Sequence, residues 1–231
     1  MRFQRLEALI GPDNLQLLHQ KTVLIAGIGG VGSYAAEAIA RSGIGTIILV
    51  DHDVVDATNI NRQLIALDET VGRKKVEVMA ERIKQINPMA VIVPLCLFID
   101  ATTIESLFSL KPDFIIDAID SVPSKTLLIE TAVAKKIAII ASMGFARKMH
   151  PEKIELTTLA KTETCPLARE IRYRLRRDGV KLDIPVVYSI ETPIESKLDS
   201  VRLGSNAFVP STAGLIMASY VINQFVDKEA L

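Results

Sequence analysis

Residues 21–32, KTVLIAGIGGVG, set a continuous apolar run directly against a cluster of glycines, and a helical pattern begins at once behind them. Few folds accept that junction. The run reads as a strand buried on both faces, as strands of a parallel sheet are. Gly27 allows a tight turn, Gly29 and Gly30 let a ligand approach the backbone, and Gly32 lets the helix pack closely on the sheet. The start of that helix offers free N–H groups and the positive end of its dipole to an anion. Taken alone, the glycines could also be a turn that binds nothing.

The rest of the chain repeats the alternation. Val31–Ser42 predicts a helix that closes at Gly43, and 45–51 a second strand. Residues 52–71, rich in Asn, Asp and Thr, read as a long loop, and 74–87 as an amphipathic helix stopped by Asn87-Pro88. Strands follow at 91–95, 113–120 and 136–142, with a helix at 123–135 between the last two. The fold class is therefore α/β, a Rossmann-like, mostly parallel sheet flanked by helices. After Gly144 the pattern changes. Residues 153–160 alternate and suit an antiparallel C-terminal extension, followed by a helix at 166–177, a strand at 183–189, an exposed loop at 190–206 and a final helix at 211–226. No linker separates two domains, so a single domain over 1–231 is expected.

Composition narrows the class. Among 231 residues 49% are apolar and 23% charged, a soluble globular balance. Lys plus Arg equals Asp plus Glu, 27 each, so any nucleic-acid contact must come from a local patch. The two cysteines, Cys96 and Cys165, exclude a disulfide framework and a four-cysteine zinc site, and fit a reducing cytoplasm. Cys96 falls in a predicted buried strand and reads as core. The opening MRFQRLEALIGPDN carries acidic and polar residues where a secretory signal needs an apolar stretch. Residues 207–226 are largely apolar but interrupted by Pro210, Ser211, Thr212, Ser219, Asn223 and Gln224, whereas a spanning helix wants about 20 consecutive apolar residues. A cytoplasmic protein without an integral membrane segment is expected.

Asp51 ends the second strand, where a carboxylate accepts hydrogen bonds from a ribose. With the glycine turn, it predicts a nucleotide. NAD is the first candidate, but Asn59, Asn61, Arg62 and Gln63 follow in TNINRQ, and Lys75 in VGRKK. Two cations and several amides exceed what a hydride cofactor needs. They suit a triphosphate, because attack at the α-phosphate spreads charge over the leaving pyrophosphate. Asp120, in DAIDS beyond the fourth strand, lies at the carboxyl edge where open α/β sheets bind ligands, and could hold Mg²⁺ or cap the next helix.

Together GIGGVGS, the pair Asp51 and Asp53, NINRQ, VGRKK and DAIDS resemble the E1-like ThiF/MoeB/HesA superfamily of adenylating enzymes. The resemblance lies in residues 20–145, which it makes a nucleotide-binding core, with 146–231 as an extension facing the substrate. It implies a homodimer that adenylates a carboxylate with ATP and Mg²⁺. Asp51 would hold the ribose, Arg62 and Lys75 the phosphates, and Asp120 the metal. An N-terminal arginine of the partner subunit would enter each site. Arg5 is the matching candidate here, with a plain surface arginine as the alternative.

The second half points to one branch. LAKTETCPLAREIRYRLRRDGVK, VVYSIETPIE and GSNAFVPSTAGLIMASYVI are similar to the tRNA threonylcarbamoyladenosine dehydratase branch. One departure is Cys165, which stands where the pattern KTxxDPL has Asp. The branch implies ATP-dependent cyclisation of the threonylcarbamoyl group on adenosine 37, in the tRNA anticodon loop, and leaves room for a sulfur-transfer partner. The alternative is a ThiF/MoeB-like activator of a ubiquitin-like sulfur carrier, although the two CxxC zinc pairs usual there are missing. On the helix at 166–177, Leu167, Ala168, Ile171 and Leu175 form an apolar docking stripe. Arg169, Arg172, Arg174, Arg176 and Arg177 crowd the remaining surface, with Lys181 beyond, a concentration of charge suited to tRNA phosphates.

Overall fold

The computed structural model describes residues 2–198, 200 and 203–226. Two short helices come first, α1 (Gln4–Ile10) and α2 (Pro12–His19). Then follow β1 (Thr22–Ala26), α3 (Gly32–Arg41), β2 (Thr46–Val50), α4 (Lys75–Ile86), β3 (Val91–Leu95) and α5 (Ile104–Ser109). The remaining elements are β4 (Phe114–Asp117), α6 (Val122–Ala134), β5 (Ala138–Ser142), β6 (Ile154–Thr158), α7 (Pro166–Arg177), β7 (Pro185–Ser189) and α8 (Phe208–Phe225).

The seven strands form one sheet in the order β3-β2-β1-β4-β5-β7-β6. Every pairing is parallel except β6 with β7, where Leu156 faces Val187 in antiparallel register. Successive residues of each strand supply opposite cores. Val23, Ile25, Ile47, Leu49 and Ile116 pack under α3, α4 and α8, whereas Leu24, Ala26, Ile48, Val50 and Ile115 pack under α5, α6 and α7. Strand order reverses between β1 and β4, which opens a crevice at their carboxyl ends.

The apolar segment near 207–226 becomes α8, which lies against α3. A Cβ at Gly214 would come within 2.3 Å of the Val31 carbonyl oxygen, so glycine is what lets the two helices touch. Among the described residues no helix is long and apolar enough to cross a membrane. Several expectations are corrected. The first strand stops at Ala26 because Gly27, at φ +87°, turns the chain. Cys96 is exposed, since β3 is the edge strand and the chain has left the sheet by that residue. The long loop contains 3₁₀ turns at Ala57–Asn59 and Asp68–Thr70, and Val54 bridges to Lys74.

Candidate functional site

The glycine turn is built by backbone contacts. A Cβ on Gly27 would meet the Ala118 carbonyl oxygen at 2.7 Å, and one on Gly32 would meet the Gly27 oxygen at 1.7 Å. Gly29 has only Gln63 Nε2 nearby, at 3.8 Å, and Gly30 faces Pro210 and Arg62. Both border a cavity of about 570 Å³ at the sheet's carboxyl edge. Val31, the residue before α3, provides no side-chain cap, and the Ser33 N–H donates to the Gly29 carbonyl at 3.0 Å.

One lobe of the cavity collects Asp51, Asp53, Asn59, Arg62, Gln63 and Lys75. Asp51 accepts from Ile28 N–H at 2.6 Å through Oδ2 and from Asp53 N–H at 2.9 Å through Oδ1, fixing the carboxylate beside the glycine turn. Lys75 Nζ donates to Asp53 Oδ2 at 2.7 Å. Asn59 holds the first 3₁₀ turn by accepting from Asp56 N–H, and Asp56 accepts in return from Thr58. Those Thr58 hydrogen bonds hold the exposed Asp56 carboxyl below its ordinary pKa. Arg62 uses Nη1 to donate to the Thr58 carbonyl and to Asn61 Oδ1. Gln63 is buried, and its Oε1 has no hydrogen-bond partner among the described residues. Ser124, also on the cavity wall, has a buried Oγ without a partner among the described residues. Such groups are stabilised by a polar ligand. Asp120 is exposed at the rim and makes no hydrogen bond or ion pair among the described residues. It does not cap α6: Ser121 occupies the N-cap position and no side chain caps there.

Beneath this rim lies a feature the sequence reading missed. Asp117 and Lys125 form an ion pair, Oδ1 to Nζ 2.8 Å, with both side chains 0% exposed. Burial pushes the Asp117 carboxyl above its ordinary pKa, against the pull of the Lys125 ammonium and the Ile119 N–H. The pair pins the Ala118–Ser121 turn that carries Asp120 and abuts Gly27. Its only trace in the sequence is a lysine three residues into a predicted helix.

A second lobe is lined by Ser142–Lys148, Cys165–Leu167, Pro193, Leu203 and Ser205. Lys148 is 2% exposed and donates to the Ser189 carbonyl at 2.8 Å. Burial draws its pKa below the ordinary lysine value, while Cys165 and Glu191 act the other way. Glu191 accepts from Met149 N–H and His150 N–H, and Asn206 donates to the Lys148 carbonyl at 2.7 Å.

α7 leaves the cavity wall at Pro166 and Leu167 and buries Ala168, Ile171 and Leu175. The basic residues of α7 and of the segment after it divide into two sets. Arg169, Arg176 and Lys181 are exposed with no carboxylate partner among the described residues. Arg174 pairs with Glu170, Arg177 pairs with Asp178, and Arg172 donates to the Thr162 carbonyl and hydroxyl. Arg5 lies exposed on α1, outside the cavity wall of its own chain.

The profile of the ThiF family matches residues 3–202. The chain belongs to the ThiF family. Among its ThiF-family relatives, tRNA threonylcarbamoyladenosine dehydratase of Bacillus subtilis (strain 168) is 42% identical over 236 residues, spanning 96% of this chain and 93% of the relative. The crystal structure of E. coli tRNA N6-threonylcarbamoyladenosine dehydratase, TcdA, in complex with ATP superimposes with a TM-score of 0.92 at 38% identity, covering 99% of this chain and 95% of that one. A more partial likeness, 31% over 153 residues, links 66% of this chain to 60% of the molybdopterin-synthase adenylyltransferase of Escherichia coli (strain K12).

Proposed function

We propose that this chain is an ATP-dependent dehydratase that adenylates the threonine carboxylate of N6-threonylcarbamoyladenosine 37 in tRNA and closes it into a ring. The observation that carries the reading is the near-full-length likeness to the Bacillus relative of that activity, which extends through the acceptor side of the cavity. The likeness to the molybdopterin-synthase adenylyltransferase covers only 66% of the chain.

A carboxylate cannot expel oxide, so it is first converted to a mixed anhydride. A carboxylate oxygen forms a bond to the α-phosphorus of ATP, and the bond from that phosphorus to the pyrophosphate oxygen breaks. The urea oxygen or nitrogen of the same modified base then attacks the acyl carbon and expels AMP, so the oxygen of the lost water leaves on AMP. Ring closure is intramolecular, and proximity supplies much of its rate. No nucleophilic side chain is needed, which fits the buried Cys165.

The roles follow from position. The glycine turn and the start of α3 receive phosphate, Asp51 the ribose, and Arg62 and Lys75 the charge that develops on pyrophosphate. Asn59 holds the loop carrying Arg62, while Gln63 Oε1 awaits a hydroxyl or amine donor. Asp53 holds Lys75 in place. Asp120, a carboxylate at the phosphate side with no partner among the described residues, fits as the ligand of Mg²⁺, which would neutralise phosphate charge. Residues 20–145 form the nucleotide-binding part of a single domain and 146–231 the substrate-facing part, the latter supplying Lys148, Cys165 and α7 to the second lobe.

The tRNA backbone runs along α7 and the segment after it, over Arg169, Arg176 and Lys181, which have no carboxylate partner among the described residues. The protein works as a homodimer in the cytoplasm, with Arg5 reaching the partner's site. Support comes from the exposure of Arg5 and of the apolar Ile60, Leu67 and Val71 on the loop beside the cavity. The chemistry requires no sulfur-transfer partner. ATP–pyrophosphate exchange tests the reading: it should depend on tRNA carrying the threonylcarbamoyl group. Exchange driven instead by a sulfur-carrier protein would overturn it.

A further inference from the structure

Two anions, the threonine carboxylate and the α-phosphate, must be brought together, so a cation is needed on the acceptor side as well as around the pyrophosphate. Most cavity cations are already engaged: Lys75 by Asp53, Lys148 by the Ser189 carbonyl, and Arg62 in part by Thr58 and Asn61. Arg147 is not. It is half-buried, lines the acceptor lobe with Cys165 and Ser205, and has no side-chain hydrogen bond or ion pair among the described residues.

Its backbone is also unusual. Arg147 adopts φ +60°, in the left-handed region that few non-glycine residues take, and it is the cavity-lining one of four such residues, with Lys111, Lys136 and Thr164, among the described residues. The loop after β7 holds it there from both sides, since Arg147 N–H donates to the Gly204 carbonyl at 2.8 Å and its own carbonyl accepts from Ile194 N–H at 2.9 Å. A planar guanidinium with free donors, on a backbone held at the cavity wall, is suited to grip a carboxylate through two parallel hydrogen bonds.

We propose that Arg147 binds the free threonine carboxylate of the substrate and presents it to the α-phosphate, so that it sets specificity for the acid. The proposal rests on the tRNA reading above. Its test compares binding of two tRNAs, one carrying the threonylcarbamoyl group as the free acid and one as its methyl ester, to the full-length protein with ATP replaced by a non-hydrolysable analogue. The wild type should prefer the acid by about tenfold, the scale of one charge-assisted bidentate contact. Arg147→Asn, which tolerates the left-handed backbone, should bind both forms equally at the ester's affinity, and Arg147→Lys should recover only part of the preference. ATP-analogue affinity should be unchanged in both variants, which shows that the site is still folded. Retention of the full acid preference in Arg147→Asn overturns the proposal, as does a wild type that treats acid and ester alike. A wild type that binds neither tRNA would instead refute the tRNA reading, and the clamp with it.

Discussion

Lys75 Nζ lies 2.7 Å from Asp53 Oδ2, and the lysine side chain is only 6% exposed. The ammonium is thus held at the cavity wall before any nucleotide arrives, on the first residue of α4. A polyphosphate reaching it gains a positioned cation, at no cost in ordering a loose side chain. Lys75→Met should lower kcat/KM for ATP in pyrophosphate exchange by about 10²–10³-fold, the usual loss for one preorganised charge donor. Asp53→Asn, which leaves the lysine but loosens its anchor, should cost roughly tenfold.

The glycines separate folding from binding. Gly32→Ala would drive a Cβ to 1.7 Å from a carbonyl oxygen, so it should cost about 3 kcal/mol in urea denaturation. Gly29→Ala meets nothing closer than Gln63 Nε2 at 3.8 Å, and should keep wild-type stability while weakening ATP binding in calorimetry.

Acid stability should depend on Glu37. Burial alone would raise its pKa, but hydrogen bonds and charge from Arg82 and Arg41 outweigh burial and hold it below the ordinary value of 4.5. A carboxyl depressed in the folded state stabilises fully above that ordinary value, and the contribution disappears as pH falls through the lower folded value. Glu37→Gln should lose roughly 2 kcal/mol at pH 7. The difference from wild type should shrink in acid, as read from denaturation midpoints at pH 7 and pH ~3.

On α7 the expected RNA contacts are the exposed Arg169 and Arg176. Arg169→Glu with Arg176→Glu should weaken tRNA binding and lower the slope of log affinity against log salt by about 1.4–1.8. Arg172→Ala should act on stability instead, since it removes the donor to the Thr162 carbonyl and hydroxyl. Melting curves and salt titrations of the two variants distinguish these roles.

Much of this fold could be read along the chain because its central strands are uniformly apolar and its first turn is glycine-rich. Both signals are local, and β3, α7 and the loop with Asn59, Arg62 and Gln63 fall where the pattern places them. What escaped reading is either short or tertiary. α1, α2 and α5 have six to eight residues each, too few for a clear apolar period. The Asp117–Lys125 pair joins consecutive elements, but its burial is set by the packing around them, and the burial of Lys148 and the left-handed backbone at Arg147 depend on segments far apart in the chain meeting at one sheet edge. Cys96 looked internal because VIVPLC is apolar, but the position of β3 at the sheet edge is decided by strand order.

On the proposed function, the protein dehydrates a threonylcarbamoyl group on tRNA by way of an adenylate. Mass spectrometry of nucleosides, released under conditions that spare the ring after incubation with ATP and Mg²⁺, tests it directly. Threonylcarbamoyladenosine should lose the mass of one water, with AMP and pyrophosphate formed in equal amounts and no conversion without ATP. A nucleoside of unchanged mass in tRNA incubated with the active, ATP-binding protein would contradict it.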